Sequence, residues 1–133
     1  MKLEDKVKVL GNEYKEHLII IKSGSFYHTY DSDALIINKL FNYKVINNRA
    51  SFPVGSLDKV KLKLEQESIS FLVNDDVLKE IFFNDNKYNN IKKEVIKNKL
   101  EEEKYNNLLN KVSFLIKESD EYYEEIRRFI DKF

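Results

Sequence analysis

The chain has 133 residues, 35% of them charged, with a formal net charge of zero. That length suits one compact domain, or a smaller domain with an appended helix, and the neutrality excludes a global field drawing the protein to nucleic acid or an anionic membrane, so any nucleic-acid binding must come from local patches. With no cysteine, no apolar run near the roughly 18 residues of a membrane span and no signal-peptide core, the expectation is a cytoplasmic protein without disulfides or thiolate metal sites.

Residues 1–17 are polar, with Leu3, Val7, Val9 and Leu10 as aliphatic anchors. The pattern supports a short helix or strand at best, then a helical turn over 13–17. Leu18 to Ile21 is an apolar, largely β-branched run, the composition of a buried strand. A turn follows at Ser23, Gly24 and Ser25. Beyond it the chain alternates, so that Phe26, His28 and Tyr30 share one face of a second strand and Tyr27 and Thr29 the other.

Asp31 or Ser32 is placed to cap a helix that starts near Asp33 and ends near Phe41, with Ile36, Ile37, Leu40 and Phe41 as its apolar stripe. Residues 44–46 suit a short strand and Asn47-Asn48 a turn. Pro53 pushes Phe52 into an extended conformation. Ser56 suits the cap of a helix whose buried face is Leu57, Val60 and Leu64, and residues 69–73 read as a core strand. The order implies an α+β fold, a small mixed sheet with packed helices.

Residues 77–83 fit helix or strand equally. From residue 87 the chain is strongly helical, with neither Gly nor Pro. Tyr105, Leu108, Val112, Leu115, Ser119, Tyr122, Ile126, Phe129 and Phe133 follow a 3-4 alternation widened by Leu109, Ile116, Tyr123 and Ile130. Residues 87–100 hold five lysines against one glutamate, and 101–133 nine acids against six bases, a sorting that favours antiparallel pairing. The expected organisation is a domain over 1–86 and an amphipathic helical extension over 87–133, which either folds back on the domain or forms a coiled coil as a homodimer or within a larger complex.

Two blocks of this sequence resemble the N-terminal mismatch-recognition domain of the MutS DNA mismatch repair family. That family has an apolar strand, an Arg or Gln, a Gly, then Asp-Phe-Tyr-Glu, a further aromatic and Asp-Ala. Here Lys22, Gly24, Phe26-Tyr27, Tyr30 and Asp33-Ala34 stand at those positions. Ser51-Phe52-Pro53, Ser56, Leu64 and Phe71-Leu72-Val73 follow the spacing of the family's second block, Gly-Ile-Pro and the helix and strand after it. The departures are His28 at the Glu position, Ser25 at the Asp and Ser51 at the glycine.

The resemblance implies the fold of that domain and a non-enzymatic module that binds mismatched, distorted or branched DNA. Phe26 would be the aromatic wedge at a weakened base step and His28 the polar group beside the base. Lys22, Lys59 and Lys63 would contact phosphates, and the helix start at Ser56 would offer amides to one. Such a monomer would bind DNA weakly and lose it as salt rises. No Gly-x-x-x-x-Gly-Lys-Ser/Thr loop occurs, so the ATPase of the repair protein is not encoded in these residues. No nucleophile-base pair, metal cluster or cofactor motif is evident, and no enzyme or cofactor is expected. The rival expectation is an assembly protein that keeps the fold, has lost DNA recognition and oligomerises through its C-terminal helix.

Overall fold

The computed structural model describes residues 2–77, 79–84 and 87–133. The chain divides into two compact units, Met1–Ile96 and Lys97–Phe133. The first opens with an 11-residue helix α1 (Leu3–Glu13), where the sequence supported only a short element. Its sparse aliphatics suffice because Val7 and Leu10 land on one face, and that face is the buried one.

Strands β1 (Leu18–Ser23) and β2 (Phe26–Tyr30) form the hairpin read from the sequence, pairing Ile21 with His28 and Ser23 with Phe26. The loop between them is Gly24-Ser25, with Gly24 at φ +62°. A glycine at the first loop position takes that conformation without a Cβ clash, and this is what lets the chain reverse in two residues.

Helix α2 (Asp31–Phe41) follows directly. Tyr30 occupies its N-cap position with no side-chain cap bond, so neither Asp31 nor Ser32 plays the expected capping part. Ile36 and Ile37 are buried as the stripe requires. Asn42 ends the helix in the left-handed region at φ +60°, one of the few places where Asn is favoured. Strand β3 (Val45–Ile46) then turns through Asn47 and Asn48, both at positive φ, into β4 (Arg49–Pro53). Two successive left-handed asparagines are the signature of a type I′ hairpin.

A 3-10 turn over Val54–Ser56 leads into α3 (Leu57–Gln66), which buries Val60 and Leu64. Ser56 sits at its N-cap position but makes no side-chain cap bond, a correction to the sequence reading. Its φ of −92° and ψ of −3° are already helical rather than extended, which a capping hydroxyl requires. Strands β5 (Phe71–Asn74) and β6 (Lys79–Phe82) complete the sheet and resolve the ambiguous 77–83 stretch as strand over 79–82.

The six strands are ordered β3-β4-β2-β1-β5-β6, with β1 and β5 parallel and the other neighbouring pairs antiparallel. The fold is therefore a mixed sheet with packed helices, as the element order implied. One face carries the principal core: Leu18, Ile20, Tyr27, Ala50, Phe52, Phe71 and Val73 with Ile36, Ile37, Val60 and Leu64. The other carries Ile19, Ile21, Tyr30 and Leu72 beneath Val7 and Leu10 of α1.

From Lys87 the chain is helical in two pieces, α4 (Lys87–Glu118) and α5 (Asp120–Ile130). Tyr88 and Val95, near the start of α4, are buried in the principal core of the first unit. The stripe that runs through residue 119 in the sequence is interrupted there. Ser119 adopts an extended conformation (φ −155°, ψ 134°), and its hydroxyl accepts a hydrogen bond from the Glu121 amide at 3.2 Å, capping α5. Asp120 and Glu121 in the first turn add favourable charge at that end. Among the described residues no helix is long and apolar enough to cross a membrane.

Candidate functional site

The residues of interest begin with strand alternation. In β2, Tyr27 and Thr29 are buried toward the principal core, where Tyr27 stacks on Phe52 at 5.7 Å between ring centroids and Thr29 Oγ1 donates to the Ala50 carbonyl at 2.9 Å. Phe26, His28 and Tyr30 therefore point to the α1 side. Across the ladder they meet Pro53, Ser51 and Arg49 of β4 respectively.

Helix α1 covers only part of this face. Tyr30 is buried beneath it, while His28 and Ser51 are half-buried and Phe26, Arg49 and Pro53 are exposed. Phe26 retains 47% of its accessible surface. Phe26, half in water opposite Pro53, and His28, near the Arg49 charge, lie along one open strip of the sheet that exposed Ile46, the partner of Arg49 on β3, continues.

His28 is held within that patch. Its Nδ1 lies 2.6 Å from Ser51 Oγ, and its ring lies 6.5 Å from that of Tyr30. Partial burial and the neighbouring Arg49 charge push its pKa below the usual histidine value, against a hydrogen bond to the Ser23 backbone that raises it. The lowered pKa favours the neutral ring, which carries one donor and one acceptor nitrogen. Nδ1 is engaged by Ser51, and the ring also bonds to the Ser23 backbone. Two of the three departures from the family pattern, His28 and Ser51, are thus a bonded cross-strand pair.

The basic residues sit apart from this patch. Lys22 lies opposite Tyr27 in the register and so projects to the face away from Phe26. Lys59 and Lys63 are on α3, whose Val60 and Leu64 pack on the principal-core face. Lys63 is paired with Glu67 at 3.2 Å, and its neighbour Lys61 with Glu80 at 3.0 Å. Ser56 begins α3, three residues beyond the Pro53 that pairs with Phe26. The structure brings Phe26 and His28 together and separates both from Lys22, Lys59 and Lys63.

Arg49 and Ser51 were missed as site residues. Period-two alternation from Phe52 places both on the face opposite that buried ring, but only the register with β2 puts them beside His28.

A second polar centre lies where β1 begins. Asp33, in the first turn of α2, is buried. Its Oδ2 accepts from the Ile19 amide at 3.1 Å and its Oδ1 from the Tyr88 hydroxyl at 2.6 Å. Burial pushes its pKa up to about 6 in spite of those two donors. Asp33 of the sequence motif thus joins α2, β1 and α4.

No curated protein matches the chain. Residues 2–64 match the family model for MutS domain I, a little under half of the chain, running from α1 to the last turn of α3 and including the Phe26 hairpin, the Asp33-Ala34 pair and the Pro53 block. This N-terminal stretch is therefore MutS domain I-like.

Proposed function

We propose that the N-terminal unit is a non-enzymatic DNA-binding module for mismatched or otherwise distorted duplexes, with Phe26 entering the base stack and His28 facing the displaced base. The observation that carries this reading is the exposure of Phe26 on an open sheet face: a ring that retains 47% of its surface contributes little to the core and is free to stack on a base. Base-aromatic stacking is worth about 1 to 3 kcal/mol, and unstacking costs less where the pair is already weakened, so the preference for distorted sites follows from the cost.

His28 adds polarity without adding a negative charge. A carboxylate beside nucleic acid has to be protonated or find a base donor. A neutral imidazole does neither, and Arg49 on the adjacent strand supplies a cation for a phosphate. With the α3 lysines largely consumed by ion pairs, few phosphates are neutralised, so affinity is modest.

The test is a titration of matched, mismatched and branched duplexes at low and moderate salt, with Phe26→Ala alongside. The parent should prefer the distorted duplexes, and the variant should lose about tenfold on them while changing little on matched DNA, with an unaltered circular dichroism spectrum. Equal binding of parent and variant to every duplex sinks the wedge.

A second reading, an assembly protein, is favoured by the apolar side chains exposed on α5 and the end of α4. It expects no DNA binding even at low salt.

A further inference from the structure

Residues 97–133 form a unit of fewer than about 40 residues, a size that rarely closes a core without a disulfide, a metal or association with another chain. The sequence has no cysteine, and among the described residues no cluster of three His, Asp or Glu could hold a metal ion. Within the unit, Ile116 of α4 shares a groove with Tyr123, Ile126 and Ile130 of α5. That groove uses only the end of α4. Tyr105, Leu108 and Leu109 continue the same stripe toward the N-terminus and are more than half exposed, as are Phe129, Ile130 and Phe133.

We propose that a second copy of this chain covers these side chains, giving an antiparallel homodimer whose interface is formed by α4 and α5 of both copies. At about 150 to 200 Å² each and about two-thirds exposed, the six side chains offer on the order of 700 Å², near the roughly 800 Å² per partner of a stable interface. The charges suit self-association. Residues 97–118 carry five lysines against four glutamates, and 119–133 five acids against three bases, so α4 of one copy is complementary to α5 of the other.

The same charges set the direction. A parallel pair would stack Glu101, Glu102 and Glu103 on their own copies. An antiparallel pair centred between Leu108 and Leu109 instead places Glu101 and Glu102 within a turn of Lys117 of the second copy, and Tyr105 beside its Val112. This gives the assembly reading its partner, and it stands or falls separately from DNA recognition by Phe26.

Sedimentation equilibrium on the full chain tests it. The expected mass is twice 15.9 kDa, and a single-chain mass at the highest soluble concentration overturns the proposal. Leu108→Lys combined with Leu109→Lys should give a folded monomer; a dimer that survives both changes refutes this surface. Single cysteines avoid dependence on that variant's folding. Leu108→Cys should give a disulfide-linked dimer on mild oxidation while Glu101→Cys stays unlinked, and linkage of both would show a parallel pair and contradict the geometry. A mutant that is monomeric yet still prefers mismatched DNA leaves the DNA reading intact.

Discussion

At the scale of single residues, the structure ties chemistry to positions that lie far apart in the chain. Asp33 is the clearest case. Its carboxyl is displaced from the usual 3.8 to about 6 by burial. A carboxyl raised by folding contributes stability that is complete below its unfolded pKa near 4 and is lost as pH rises through about 6, a swing on the order of 3 kcal/mol. Asp33→Asn should flatten that dependence, visible as urea midpoints that change less between pH 4 and pH 7 than in the parent; an unchanged profile would mean that Asp33 is not the titrating group. His17 works in the opposite sense. Both its ring nitrogens are buried without a hydrogen-bond partner among the described residues, burial lowers its pKa, and its contribution is lost as pH falls below the unfolded value. The Ser51-His28 bond makes a second prediction: Ser51→Ala should redistribute the imidazole tautomers, read directly in ring nitrogen chemical shifts, and weaken mismatch discrimination a few-fold without changing thermal stability by more than about 1 kcal/mol. Neither pair was legible in the sequence. Asp33 and Tyr88 are 55 positions apart and His28 and Ser51 are 23 apart, and only the sheet register and the docking of α4 bring them within reach.

At the scale of elements, legibility followed periodicity. The β1-β2 hairpin, the face assignment of Phe26 and His28, α2, the Asn47-Asn48 turn and α3 could all be read, because each has a repeat of two or about 3.6 residues bounded by a residue with a defined backbone preference. Helix α1 was underestimated because its stripe is too sparse to stand out until Ile19, Ile21, Tyr30 and Leu72 supply the surface it packs on. The caps expected at Ser32 and Ser56 failed where the backbone enters the helix without the extended geometry that a capping hydroxyl needs, or where Tyr30 takes the position. Ser119 shows the reverse, a single hydroxyl breaking a stripe that periodicity alone would carry through. The docking of α4 depends on Tyr88. Tyr88→Phe removes a hydrogen bond to a buried carboxylate and should cost about 1.5 to 3 kcal/mol, with hydrogen exchange accelerating first in the opening turns of α4. Uniform exchange along the helix would argue against Tyr88 as its anchor.

At the scale of the whole molecule, a neutral chain would confine the proposed DNA recognition to a local patch, and Phe26, His28, Ser51 and Arg49 lie on the part of the sheet that α1 leaves open. The fold class, the hairpin and its aromatic were legible because they rest on local pattern and on the spacing of two motif blocks. The composition of the patch was only half legible, since the lysines chosen by sign of charge lie on another face or in ion pairs, while the arginine beside His28 is identified by register. The central claim is that Phe26 enters the base stack, and a fluorescent adenine analogue placed next to a mismatch reports on stacking directly. Binding of the parent should brighten the analogue in mismatched duplex and leave it unchanged in matched duplex, with Phe26→Ala abolishing the increase; equal brightening by parent and variant, or none by either at saturating protein, would contradict the account.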